Sequence, residues 1–242
     1  SSYAVTGTLD TVADTAYPVA NTAYYKLNGD ALDSSGNGYN GTSLRGLSYG
    51  AGVFDEAVTL ASNGNITTGY NLSGSYSISL WSYYNGSGYN LLGDANSTGD
   101  NGILFRGLRG SINKVQFIDR WGAASNYVTH EINYTNDNAW HHFVLVFTND
   151  NNCKIYMDNA LIMNFNSAQS TFTHSTSLSL GQGLSTGFDS SGYSIDQVRI
   201  FNTALSAGNV TSLYNESTVV ESTDGTDSIL QFIGGTGTVT FS

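Results

Sequence analysis

Positive charge is scarce in this sequence. Lysine and arginine number 8 in 242 residues against 19 aspartates and glutamates, a formal net charge of −11 at pH 7. That balance excludes nucleic-acid binding by phosphate neutralisation, which needs clustered cations. Charge of either sign is sparse, at 11% of residues where roughly 25% is usual. A single cysteine, Cys153, can build neither an intrachain disulfide framework nor a cysteine-based zinc site. It lies in an apparent strand and reads as a buried free thiol. No run of about 18 apolar residues offers a membrane span. No basic stretch followed by an apolar one reads as a signal peptide. What is abundant is Gly (28) and Tyr (16), with 40% hydrophobic and 12% aromatic residues overall. Such a chain can bury a core and is not disordered. Its polarity comes from Ser, Thr, Asn and Gly, as in many extracellular, viral and cell-surface β-proteins.

The apolar pattern has a period of two. Ser77 to Tyr83, Ser177 to Leu180 and Tyr193 to Phe201 alternate, as half-buried strands do. Phe143-Val144-Leu145-Val146-Phe147 is continuously apolar, which predicts a strand covered on both faces. Further strands are expected over Gly102 to Arg106, Ile112 to Ile118 and Tyr127 to Asn133. Asp158-Asn159 reads as a tight hairpin turn between Ile155-Tyr156-Met157 and Leu161-Ile162-Met163. Only Ser206 to Tyr214 reads as helix, with Ser206 as its cap and Val210, Leu213 and Tyr214 on one face. The fold class expected is all-β, a two-sheet antiparallel jelly-roll sandwich with one short helix near the end. Residues 1–22 read as an N-terminal extension. Residues 23–216 read as the jelly-roll domain, and 217–242 as a linker followed by a β-tail.

Four blocks carry a family resemblance. They are Tyr24 to Thr42 with its Asp33-Ser34-Ser35-Gly36-Asn37-Gly38 loop, Gly52 to Val58 leading to Ser79-Leu80-Trp81, Trp140 to Phe147 with Lys154 to Asn159, and Ile195 to Ser206. In this order they resemble the LamG-like jelly-roll modules of the concanavalin A-like lectin/glucanase superfamily. The family usually has Asp-Gly where this chain has Asp158-Asn159, a pair that still suits positive φ. The low charge and the Gly-Thr-rich tail also resemble virion surface proteins of tailed bacteriophages, a looser likeness of composition.

The Asp33 loop offers oxygen ligands. The Asp33 carboxylate, the Asn37 amide and inward carbonyls at the glycines suit calcium. The resemblance implies that Asp196 of the last strand completes the site. The competing reading is that Asp33 caps a turn and Asp196 pairs with Arg199 or with backbone amides; a carboxylate in a strand needs one or the other to be buried. His141-His142 and His130-Glu131 read as structural, because adjacent strand residues face opposite sides. The glucanases of the superfamily carry two carboxylates in an E-x-D-x-x-E string. This chain has none, and its four glutamates, Glu56, Glu131, Glu216 and Glu221, are scattered. An enzyme is therefore not expected.

Loop aromatics are the candidate glycan contacts: Tyr83, Tyr84, Tyr89, Trp121 and Tyr127 would stack on sugar rings beside Asn85, Asn90 and Asn126. Trp81 and Trp140 are expected in the core. The tyrosines would otherwise simply cover a sheet or an oligomer interface. The expected role is a non-catalytic surface module, on a phage virion or otherwise extracellular, with structural, adhesive or glycan-binding duties. The terminal arms would join other virion or surface proteins or further copies of the chain, and host or cell-surface glycans are candidate ligands. The alternatives are a secreted carbohydrate-binding module, a glycan-degrading enzyme, or a bacterial adhesin domain.

Overall fold

A computed structural model describes residues 19–84, 90–94, 102–109, 113–120, 126–167, 174, 177–181, 192–216, 219–224 and 227–232. In chain order the strands are β1 (Ala23–Tyr25), β2 (Thr42–Ala51), β3 (Glu56–Thr67), β4 (Tyr76–Tyr84), β5 (Leu92–Gly93), β6 (Gly102–Arg109), β7 (Lys114–Arg120) and β8 (Tyr127–Asn133). They continue with β9 (Trp140–Phe147), β10 (Asn152–Met157), β11 (Ala160–Asn166), β12 (Ser179–Leu180) and β13 (Tyr193–Phe201). The helix α1 (Ala207–Tyr214) follows, then a hairpin of β14 (Val219–Asp224) and β15 (Asp227–Phe232).

The two antiparallel sheets share one strand. The front sheet runs β11-β10-β9-β4-β13-β3, and the back sheet runs β3-β12-β5-β6-β7-β8. Within β3, Val58 to Leu60 pair with β13, while Ile66 and Thr67 pair with β12. The bend between these segments shows as a register shift against β2 around residues 60–65. Such irregularities let one strand pass between sheets. β2 follows β3 through the bend, and β1 takes the place beside β13 that β3 leaves. On the opposite side the edge strands β8 and β11 meet, where the His130 ring lies flat on Phe165 at 3.6 Å between centroids.

The front sheet is apolar on both faces over part of its length, and β9 shows why its sequence does not alternate. Phe143, Leu145 and Phe147 enter the main core between the sheets. Val144 and Val146 enter a second core with Tyr156, Phe201, Leu205, Val210 and Leu213, beneath α1. Ser206 caps α1 by accepting from the Asn209 amide, and Asn209 returns a bond to the cap in a capping box. The Asp158-Asn159 turn has φ of 48° and 66°, the left-handed pair that a two-residue hairpin turn requires.

Residues just before β1 are already joined to the sandwich. Val19 packs on the second core, and the Thr22 amide donates to the Ile200 carbonyl at 2.7 Å. After α1, residues expected as linker instead form β14, which pairs only with β15 in a separate two-stranded sheet.

At the bend, Gly181 has φ of +80°, and a Cβ there would overlap Leu60 Cδ1 and fall 2.8 Å from the Gly64 carbonyl oxygen. Gly181→Ala is expected to cost about 2 kcal/mol or more, through both strain and overlap. A urea titration with an unchanged m-value would check this.

Candidate functional site

Alternation along β4 sorts its side chains. Tyr76, Ile78, Leu80 and Tyr84 enter the core. Ser77, Ser79, Trp81 and Tyr83 therefore face outward. On β9, Trp140 stands directly opposite Tyr83, and His142 opposite Trp81. On the other side of β4, Ser194 of β13 is opposite Tyr83, with Thr59 of β3 and Ser48 of β2 beyond it. The outer face thus carries the row Trp140, Tyr83, Ser194, Thr59, Ser48. Five strands at the usual spacing make it about 19 Å long. Its first four members are half-buried and Ser48 is exposed. The Tyr83 and Trp140 rings sit 5.8 Å apart at 47°, and the Thr59 and Ser194 hydroxyls share a hydrogen bond of 2.8 Å. One end of the row is an aromatic shelf, and the rest is hydroxyls.

The neighbouring row is closed over. Trp81 stacks on Tyr214 of α1 at 6.0 Å and meets Phe54 edge-on at 6.4 Å. Beneath this cover lies a polar network. Arg199 binds Glu216 in a two-pronged ion pair, 2.6 Å from Nη1 to Oε2 and 2.5 Å from Nη2 to Oε1. Its guanidinium also lies 4.5 Å over the Tyr24 ring, and the Tyr24 hydroxyl donates to Gln197. Gln197 has φ of 52° at the bulge where β13 shifts register against β4. Burial pushes the His142 imidazole down to about 3, helped by the Arg199 charge and opposed by Asp158. It is therefore neutral, with Nε2 2.8 Å from the Ser79 hydroxyl.

Asp196 and Asp33 serve different loops. Asp196 Oδ2 accepts from the amides of Val53 and Phe54 at 2.8 and 2.9 Å, while Oδ1 is buried without a hydrogen-bond partner. Burial pushes its pKa up to about 7 against the pull of those amides and of Gln197. Asp33 Oδ1 accepts from the amides of Tyr24 and Ser35, and Oδ2 from the Tyr39 amide and the Ser35 hydroxyl, each at 2.9 Å. Burial opposes its charge, but these donors outweigh the cost and lower its pKa. The Asn37 amide nitrogen donates to the carbonyls of Asn21 and Thr22. These bonds staple the turn. Among the described residues no three His, Cys, Asp or Glu side chains are placed to hold a metal ion.

Of the expected glycan contacts, Tyr83 lies on the shelf. Tyr84 must be corrected: the parity that exposes Tyr83 sends Tyr84 into the core, where it is 3% exposed and cannot stack on an external sugar. Tyr127 is 55% exposed but stands on β8 of the back sheet, apart from the shelf. Tyr89 and Trp121 lie outside the described residues. Trp81 and Trp140, expected in the core, are both half-buried on the outer face. The signal for this was present in the alternation itself, since Trp81 shares the parity of Ser77 and Ser79.

The comparisons with known proteins agree with this architecture. Residues 52–211 match the Laminin_G_3 family of the concanavalin A-like lectin/glucanases superfamily. The chain belongs to this family. Among solved structures it is similar to domain 4 of AbnA, a GH43 extracellular arabinanase from Geobacillus stearothermophilus, in complex with arabinotriose. That similarity has a TM-score of 0.66 at 22% identity, over 81% of this chain and 98% of that one. It is also similar to a botulinum neurotoxin type C structure whose cell entry depends on two ganglioside molecules, with a TM-score of 0.63 at 16% identity, over 82% of this chain and 51% of that one. The chain thus spans about half of that neurotoxin chain. The binding domain of botulinum neurotoxin serotype D matches with a TM-score of 0.63 at 11% identity, over 88% of this chain and 62% of that one. At these identities the likeness is one of fold. No curated protein sequence matches.

Two measurements test the closed row. Glu216→Gln leaves the buried Arg199 charge without its counter-ion and is expected to destabilise by about 3 kcal/mol. Asp196, with a folded pKa near 7, takes up a proton on folding between its ordinary carboxylate range and about 7. Its contribution to stability is therefore full at pH below that range and is lost as pH rises through about 7. Melting of Asp196→Asn should improve relative to the parent from pH 4 to pH 8.

Proposed function

We propose that this chain is a non-catalytic glycan-binding module whose sugar surface is the row from Trp140 to Ser48. The observation that carries the reading is the pairing of the Tyr83 and Trp140 rings at the head of a line of hydroxyls. Aromatic rings take the apolar face of a pyranose or furanose, and hydroxyls satisfy its polar rim. An extended row suits an oligosaccharide better than a single sugar. The arabinotriose and ganglioside named with two similar structures support a carbohydrate as the ligand class.

The non-catalytic part rests on chemistry. Hydrolysis of a glycosidic bond needs two carboxyl groups flanking it, and no member of the row is acidic. Turnover on a panel of arabinans and β-glucans would overturn this part. Display on a virion or other surface, with attachment through the chain ends, is part of the same proposal and is supported by composition alone. Calcium would take Asp196 Oδ1, which has no hydrogen-bond partner, and would compete with the donors on Asp33. Thermal stabilisation by added calcium, lost in Asp33→Asn, would establish it.

Binding is tested by calorimetry against arabino-oligosaccharides and ganglioside oligosaccharides. Tyr83→Ala and Trp140→Ala should each weaken binding about tenfold or more. Tyr84→Phe should leave it unchanged.

A further inference from the structure

His141 stands next to Trp140, on the opposite side of β9, and lies between two carboxylates. Its Nδ1 is 2.6 Å from Asp158 Oδ2, and its Nε2 is 2.9 Å from Asp137 Oδ1. Its side chain is only 5% exposed. A neutral imidazole has one N–H and can donate to only one of these partners, whereas the imidazolium donates to both. The geometry is therefore that of a protonated ring.

The two carboxylates belong to separate loops. Asp137 belongs to the connection between β8 and β9, where its Oδ1 also accepts from the Ala139 amide at 3.1 Å. Asp158 belongs to the β10–β11 turn, where its Oδ1 accepts from the His142 amide at 2.9 Å. That turn is tied onward to α1, since Thr211 donates to Asn159 at 2.8 Å. Trp140 is the residue between the Asp137 connection and His141, so its backbone is held from both sides.

We propose that Asp137, His141 and Asp158 form a protonation-dependent brace that sets Trp140 against Tyr83, with His141 as a positioning residue for the glycan shelf. Its link to sugar binding rests on the function proposed above. The brace itself does not.

The surroundings favour the charged ring. Burial opposes the charge, but the hydrogen bonds and charges of Asp158 and Asp137 outweigh it and raise the pKa above its ordinary value. The brace is therefore complete below about 6.5, the ordinary imidazole value, and is lost as pH rises through the raised value. The other groups facing His141 do not titrate in that window. Tyr134, in edge contact at 5.4 Å, has its phenol pushed up to about 12. Ser82 stands across from it on β4, and His142 on its own strand stays neutral. Asp196 titrates near 7, across β4's Trp81, and needs a control.

The test follows the His141 imidazole by NMR in the full chain, with tryptophan emission and arabinotriose affinity measured from pH 6 to pH 9. The imidazole should titrate above 6.5, and Asp137→Asn should bring its midpoint down. Emission should change over the same range in the parent and in Asp196→Asn, and in the Asp196→Asn background the change should vanish when Trp140→Phe or His141→Gln is added. Affinity for arabinotriose should fall about tenfold as one charge-assisted bond is lost. His141→Gln should flatten that profile. A titration at or below 6.5, or an emission profile unchanged in His141→Gln, would overturn the brace. If arabinotriose binds at no pH while the NMR and emission results hold, the brace stands and the binding proposal fails for that sugar.

Discussion

Part of the front sheet is buried on both faces, and much else in the molecule follows from that. A sheet that packs one face on a core can leave the other to water. Here α1 and the loop at residues 52–55 cover part of the second face as well. Every polar group trapped there must then find a partner inside the protein. Arg199 is held by Glu216 and the Tyr24 ring, His142 is kept neutral beside Ser79, and Asp196 takes the amides of Val53 and Phe54. The same constraint makes β9 apolar without alternation, because its two sets of side chains enter two different cores.

The candidate site is the part of that face where the cover ends. Tyr214 closes over Trp81, and one row further along the sheet the half-buried Tyr83 and Trp140 rings pack on each other. Rings in that situation are held by a rigid sheet yet keep a face for a ligand. That combination lowers the ordering cost of binding. The hydroxyls of Ser194 and Thr59 are likewise fixed by the strands that carry them rather than by flexible loops.

Much of the fold is legible in the sequence because it rests on local rules. The strands β4 and β13, the capped helix at Ser206 and the Asp158-Asn159 turn are each set by a few neighbouring residues, and the structure shows them where they were expected, save that β13 changes parity at the Gln197 bulge. The site is less legible because it depends on which strands become neighbours. That Trp140 meets Tyr83 follows from the β4–β9 register, which no local pattern states. The two tryptophans were expected in the core because a large apolar ring usually belongs there. Parity along β4 argues otherwise for Trp81, and the parity of a neighbour decides Tyr84. The Asp137–His141–Asp158 arrangement was invisible for the same reason, since its members come from two connections and a strand end.

The closing of β1 against β13 also sets when the molecule can become itself. Ala23 pairs with Ile200, and the Arg199–Glu216 clamp lies later still. At roughly 5 to 20 residues per second, a ribosome needs on the order of 10 to 40 s to go from β1 to that last central strand. Until then β3 and β4 wait with their neighbour missing and their apolar faces open. Pairings so distant along the chain are slow to form. Over that interval the nascent chain is exposed to aggregation, and its acidic charge is suited to keeping it dispersed.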